Sequence, residues 1–278
     1  MSMRIDAHQH FWRYSPSTHG WIDDSMAVLK RDFLPADLAP LLAANGIDGC
    51  IAVQAEQTVA ETEWLLSLAD AHPFIRGVVG WVDLCADDVR EQLRAIAAHP
   101  KLRGVRHIVQ SEPDDRFMLR PDFMRGIAAL AEFGLTYDIL VFARQMPAAI
   151  DLVAVFPEQR FVLDHVGKPD IRNGEIDAWA RGIAALARHR NVWCKLSGIV
   201  TEADWAAWTP DDIAPYIRTV FDWFAPDRIM FGSDWPVCTL AAPYDAVSGI
   251  ARDAIAALPD RDQDAILGGS AAEFYGLR

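Results

Sequence analysis

Two histidines one residue apart, His8 and His10, close the first apolar stretch of the chain, Arg4-Ile5-Asp6-Ala7-His8-Gln9-His10-Phe11-Trp12. In an extended strand, residues i and i+2 project to the same side. The two imidazoles therefore leave the strand's C-terminal end together. Such a pair suits a divalent metal, or a paired acid and base. Two surface histidines in a loop would look the same, because a bare H-x-H is common. Further polar and ionisable residues close later apolar runs: Gln54 with Glu56 just beyond, Arg106 with His107, Asp138, His165, Lys195 and Asp234. One polar residue at a strand end is usually a cap or a turn former. A set of them at nearly every strand end makes a catalytic site if the fold brings those ends together.

The elements that must position them alternate. After the first strand, the spacing of apolar residues predicts strands over 47–54, 77–82, 102–108, 135–140, 160–165, 192–197 and 228–234. Helices are expected over 35–45, 59–72, 87–99, 121–133, 146–156, 175–188 and 211–224, with two more at about 244–258 and 261–275. The strands read as continuous apolar runs, as strands buried on both faces do. Eight strand–helix units predict an α/β fold, a single (β/α)8 barrel over 1–278. A doubly wound open sheet would place a Gly-rich phosphate turn after the first strand, and none is there. In a barrel the C-terminal strand ends share one mouth, which gathers the residues named above. The long stretch 11–33, rich in Trp, Ser, Pro and Asp, is expected to cover that mouth as a lid.

Composition narrows the function classes. The 278 residues are 51% hydrophobic and 23% charged, ordinary for a globular chain. The formal net charge of −13 argues against nucleic acid or an anionic membrane surface as partner. Cys50, Cys85, Cys194 and Cys238 show no C-x-x-C spacing and read as free thiols in a reducing compartment. No apolar run is long enough to span a membrane, and no apolar leader precedes the first strand, so a cytoplasmic protein is expected.

Several short motifs resemble the amidohydrolase superfamily, in particular its branch of sugar-lactone hydrolases. They are Asp6-Ala7-His8-Gln9-His10-Phe11-Trp12, Gly80-Trp81-Val82-Asp83-Leu84, Gly104-Val105-Arg106-His107 and Glu112-Pro113-Asp114-Asp115-Arg116-Phe117. Leu163-Asp164-His165-Val166-Gly167-Lys168-Pro169, Cys194-Lys195-Leu196-Ser197-Gly198 and Phe231-Gly232-Ser233-Asp234-Trp235-Pro236 continue the series. The resemblance covers essentially the whole chain, and its specificity lies in the order of the motifs. It implies a (β/α)8 barrel, metal-site roles for His8, His10 and Asp234, and a histidine at the mouth, His165. It also implies hydrolysis of an aldonolactone, L-fuconolactone first and L-rhamnonolactone next. Many metal-bearing members carry a histidine or lysine on strand five. Here Thr136-Tyr137-Asp138-Ile139 has neither, so one divalent ion, zinc first among candidates, is expected at most. Asp138 is either an oxygen ligand or a hydrogen-bond partner.

A lactone is a cyclic ester. Its hydrolysis needs an activated water, a stabilised carbonyl oxygen and a proton for the leaving ring oxygen. Asp234 is the expected base or water-orienting group. A metal at His8 and His10, or else Arg106, His107 or His165, would stabilise the oxyanion. Alternation makes Arg106 and His107 face opposite ways unless the strand bends. His165 donates the proton or binds a hydroxyl. Lys195 binds substrate oxygens or pairs with a carboxylate inside the barrel. Trp12, Trp81 and Trp235 lie near strand ends and are candidates to stack on a sugar ring. Cys238 follows Asp234 closely, but no histidine is paired with it as a nucleophile's base. A metal-dependent decarboxylase of planar acids and a non-catalytic sugar-acid binding protein are the alternative classes.

Overall fold

A computed structural model describes residues 3–277. Eight strands run β1 (Ile5–Gln9), β2 (Gly49–Val53), β3 (Ile75–Gly80), β4 (Leu102–His107), β5 (Thr136–Ile139), β6 (Phe161–Leu163), β7 (Val192–Leu196) and β8 (Ile229–Phe231). Each pairs in parallel with the next in chain order. The ring closes just beyond the strands. Gln9 bridges Trp235, the His10 N–H donates to the Trp235 carbonyl (2.7 Å), and the Asp234 N–H donates to the His8 carbonyl (2.8 Å). The closure is therefore made by the residues expected to do chemistry.

The helices between are α1 (Pro35–Ala44), α2 (Val59–Ala71), α3 (Val89–Ala97), α4 (Pro121–Glu132), α5 (Met146–Val155), α6 (Asp177–Ala187), α7 (Pro210–Trp223) and α8 (Tyr244–Ile255). Local chemistry sets their starts. Thr58 Oγ1 accepts the Glu61 N–H (3.0 Å) and caps α2. The Glu61 carboxylate turns back to accept the N–H groups of Ala55 (2.9 Å) and Glu56 (2.8 Å), which fixes the loop leaving β2. Short helical segments, Asp260–Asp264 and Ser270–Phe274, follow α8.

Two apolar layers hold the barrel. Between sheet and helices, Leu65, Leu93, Ile127, Leu152, Ile183 and Val220 are fully buried on the outer faces of the strands. Inside, Ile5, Ala7, Ile51, Val53, Val79, Val162 and Met230 fill the lower barrel, and Ala271, Phe274 and Tyr275 stop its bottom. Each Val, Leu, Ile, Phe or Met side chain among them contributes about 1.5–3 kcal/mol by burial. The β1–β2 register slips between Asp6 and Gln9. That slip lets Ala7 and His8 both face the interior, so β1 passes from apolar filling to a polar site without turning around.

The stretch 11–33 is stitched at its ends by paired backbone hydrogen bonds between Trp12 and Phe33 (3.0 Å each). The Trp12 Nε1–H donates to the Arg31 carbonyl (2.9 Å), and the Tyr14 N–H to Asp32 Oδ1 (2.9 Å). Strands β6 and β8 end earlier than the apolar runs 160–165 and 228–234 predict. The backbone leaves the extended region at their ends: His165 has φ 52° and Asp234 φ 59°.

Candidate active site

A cavity of about 190 Å³ occupies the C-terminal mouth. Its floor is His10, Arg106, His165 and Asp234, and its walls include Trp12, Trp21, Ile108, Gln110, Leu140, Lys168 and Val237. Asp234 is central. Its Oδ1 lies 3.4 Å from His10 Nε2 and 3.9 Å from both His8 Nε2 and His165 Nε2. Burial pushes its pKa up, but His165, His10 and Lys168 outweigh that and hold it below the usual carboxylate value. It is a base kept ionised. Its position needs the left-handed backbone noted above and a glycine two residues earlier: a Cβ on Gly232 would sit 2.7 Å from the His8 Cβ.

The histidines are oriented from behind. His10 Nδ1–H donates to the Val53 carbonyl (2.8 Å), which turns its Nε2 lone pair into the site. His8 Nδ1 faces Asp164 Oδ1 (3.3 Å), the partner that does the same for its Nε2. The two Nε2 atoms are 3.2 Å apart. Burial, with Lys195 and His10 helping, pushes the His8 pKa well below the ordinary histidine value against the pull of Asp164. Burial likewise lowers His165 far below its usual value, so both rings are neutral at neutral pH. His165 Nδ1 pairs with Ser197 Oγ (3.0 Å), leaving Nε2 toward the cavity. Its ring is accommodated by Gly198, where a Cβ would come 2.4 Å from His165 Nδ1.

Beneath lies a buried ionic layer. Lys195 Nζ donates to Asp138 Oδ2 (2.5 Å), forms an ion pair with Asp164 Oδ1 (3.0 Å) and approaches His8 Nδ1 (3.1 Å). Arg106 Nη1 donates to Asp164 Oδ2 (3.1 Å), and its Nη2 to Gln54 Oε1 (3.0 Å). Tyr275 Oη donates to Asp138 Oδ2 (2.8 Å). Lys195 and two other cationic or neutral donors thus hold Asp164 well below the ordinary carboxylate pKa despite its burial, whereas burial lifts Asp138 to about 6.

His8, His10 and Asp234 each offer one ligand atom within a common 4.8 Å. Two converging imidazole lone pairs and a carboxylate oxygen form a set of acceptors that a positive group completes. The donor set fits one divalent ion, with open positions for water. The Arg106 Nη1, 3.3 Å from His8 Nε2, is the chain's own positive group at this point.

Several expected residues stand elsewhere. His107 faces outward, as alternation from inward Arg106 requires. Its Nε2 pairs with Glu112 (2.7 Å), its ring stacks on Phe117, and it is not among the residues that line the cavity. Trp81 donates from Nε1 to His107 Nδ1 (3.4 Å) on that same outer side. Trp235 is buried against Phe11 and Phe33. Neither lines the cavity. Trp12 reaches the cavity only as a buried wall, its indole N–H already spent on Arg31. Lys195 is fully buried and takes the second of its two expected parts, pairing with carboxylates inside the barrel. Cys238 is a buried thiol whose backbone N–H donates to the Asp234 carbonyl (2.9 Å). Sequence reasoning assigned no part to Asp164, Lys168 or Trp21. For Asp164 the available signal was a carboxylate inside an apolar strand, next to a strand-end histidine.

A profile of the family described as Amidohydrolase matches residues 5–277. The chain belongs to the amidohydrolase family. Among the relatives of this amidohydrolase is an L-fucono-1,5-lactonase of Burkholderia multivorans, 43% identical over 99% of this chain and 97% of that protein. Another L-fucono-1,5-lactonase, of Burkholderia ambifaria, is 40% identical over 88% of this chain and 84% of its own. A crystal structure of an amidohydrolase from Burkholderia multivorans with bound zinc superposes with a TM-score of 0.96 at 42% identity, covering both chains fully.

Proposed function

We propose that this amidohydrolase opens a sugar lactone, L-fucono-1,5-lactone, to the aldonic acid. The observation that carries the substrate is the near full-length similarity to the two L-fucono-1,5-lactonases. The site supports the chemistry. Ester hydrolysis needs a base that is ionised at neutral pH and free of strong hydrogen bonds, and Asp234 meets both conditions. It orients a water against the lactone carbonyl and takes its proton. Neutral His165, with Nδ1 held by Ser197, presents Nε2 to a substrate oxygen. Asp234 then returns the proton to the ring oxygen as the ring opens.

His8, His10 and Asp234 would hold a divalent ion, zinc by analogy with the solved relative, and the ion would supply Lewis-acid polarisation and a more acidic bound water. Arg106 ties the His8 imidazole to the Asp164 carboxylate beneath it from the protein's side. The polar floor and the apolar wall of Trp21, Ile108, Leu140 and Val237 suit a neutral ring with one hydroxylated and one apolar face. We treat the chain as one domain with 11–33 as its lid. Four unpaired cysteines fit a reducing compartment, and we place the enzyme in the cytoplasm on that ground. Among the described residues, no helix is long and apolar enough to cross a membrane.

The test is acid release from L-fucono-1,5-lactone, followed with a pH indicator against the spontaneous rate and beside a panel of other aldonolactones. Turnover best on the L-fucono compound is expected. No acid release above the spontaneous rate from any lactone would refute the reading.

A further inference from the structure

Among the described residues two cations line the cavity, Arg106 and Lys168. The guanidinium of Arg106 is committed to the protein. Its Nη1 serves Asp164 and His8, and its Nη2 serves the Gln54 carbonyl and Gln54 Oε1. Only its buried Nε lacks a partner. Lys168 differs. Its ammonium donates to Glu202 Oε1 and stands 5.7 Å over the Phe142 ring. An ammonium carries three protons, so two donors remain for the cavity that Lys168 lines.

The backbone is strained to put it there. His165, Val166, Gly167 and Lys168 pass consecutively through the left-handed region, with φ of 52°, 48°, 73° and 47°. A β-branched residue rarely adopts that conformation, and such strain persists only where the surroundings over-determine it. Val166 enters the core, and its carbonyl accepts the Trp179 Nε1–H (2.7 Å), while His165 and Lys168 both turn to the cavity. Glu202 arrives from the segment after β7. Its side chain is 14% exposed and that of Lys168 15%, so the pair is anchored by the protein and not by solvent.

We propose that Lys168 is a catalytic residue: its ammonium, clamped by Glu202, donates to the lactone carbonyl oxygen and stabilises the charge that gathers there when water adds. The proposal rests on the lactonase reading and extends it. The water oxygen forms a bond to the carbonyl carbon, the carbonyl electron pair moves to its oxygen, and the water's proton goes to Asp234. When the pair returns, the bond to the ring oxygen breaks, and that oxygen takes the proton back from Asp234. Lys168 gives up no proton.

The experiment compares wild type, Lys168→Met, Lys168→Arg and the double variant Lys168→Met/Glu202→Gln. Each is assayed for acid release from L-fucono-1,5-lactone, with folding checked by circular dichroism and thermal melting. Lys168→Met should lower kcat by about 10²–10³-fold, the scale of a lost oxyanion donor, with KM changed less than about threefold. Lys168→Arg should recover part of kcat. The double variant leaves no unpaired charge, so it should melt like wild type and stay as slow as Lys168→Met. It also carries the comparison if the single variant fails to fold. A double variant with wild-type kcat would mean that Lys168 only neutralises Glu202, and would overturn the proposal. A raised KM with unchanged kcat would overturn it too. Wild type without turnover would instead sink the lactonase reading on which it stands.

Discussion

Replacing Asp164 by asparagine tests the layer beneath the site. Asp164 faces Lys195 Nζ at 3.0 Å, Arg106 Nη1 at 3.1 Å and His8 Nδ1 at 3.3 Å, and all four side chains are at most 3% exposed. With His8 neutral, Lys195 and Arg106 balance Asp138 and Asp164. Asp164→Asn keeps the volume but leaves two buried cations facing one carboxylate. Breaking a buried pair by removing one partner costs about 3–5 kcal/mol, out of a total stability of about 5–15 kcal/mol. At roughly 2–4 °C per kcal/mol for a chain of this size, Tm should fall by on the order of 10 °C. Asp164 titrates well below the ordinary carboxylate value. Its stabilisation is therefore fully present above that ordinary value and lost only as pH falls through the depressed one. The gap between wild type and variant should be as wide at pH 5 as at pH 7 (values chosen above about 4). Asp138 shares Lys195, but burial lifts its pKa to about 6, so its charge is less favoured and Asp138→Asn should cost less. Urea denaturation at both pH values measures this. A loss below about 1 kcal/mol for Asp164→Asn, within the range of an exposed pair, or the reverse order of the two variants, would refute the reasoning.

Other consequences follow from the cavity. Asp234→Asn keeps the size and removes the basicity, so kcat should drop by about 10²-fold or more with KM little changed; near wild-type turnover in a folded variant would remove Asp234 as the base. Trp21 lines the cavity, is 44% exposed and stands edge-on to Trp12. Trp21→Ala should raise KM about fivefold, equivalent to ~1 kcal/mol of ring contact, while Trp21→Phe retains most of the affinity; equal KM values would show that substrate does not touch this ring. Because His165 and Asp234 both titrate below their usual values of 6.5 and 3.8, kcat/KM, corrected for spontaneous hydrolysis, should stay flat through pH 6.5. An acid limb centred there would mean that His165 is not depressed.

The barrel was legible because its evidence is periodic: eight apolar runs and the helices between them survive small errors at the boundaries. The strand-end list was legible for the same reason, and His8, His10, His165 and Asp234 do meet at the mouth. Alternation limited Arg106 and His107 to one inward residue, and Arg106 is the inward one. What the sequence hid depends on broken periodicity. The register slip in β1 and the left-handed run after β6 change which residues face inward. No regular strand would aim His165 and Lys168 at one cavity while burying Val166 between them. Trp21 was hidden differently: a lid of 23 residues (11–33) has no period, so its tryptophans could not be ranked by position.

The arrangement also explains how one carboxylate serves as the base among several. Asp164 is closest to the cations and is held ionised by them, but Lys195, Arg106 and His8 occupy the space around its oxygens. Asp138 is buried at the barrel floor, away from the cavity, with Oδ2 given to Lys195 and Tyr275. Asp6 is satisfied by Ser233, Tyr244 and the His8 N–H, where it ties the end of β8 to β1. The side chains nearest to Asp234 Oδ1 among these groups are histidines, whose ring nitrogens come no closer than 3.4 Å. Its charge is supported at a distance, and its lone pairs are not consumed by strong donors. A base needs that combination, because a carboxylate hydrogen-bonded as fully as Asp6 would have to break those bonds before accepting a proton. The ionic layer thus supplies rigidity without supplying the reactive group, and the chemistry is left to the residue that the backbone strains to place above it.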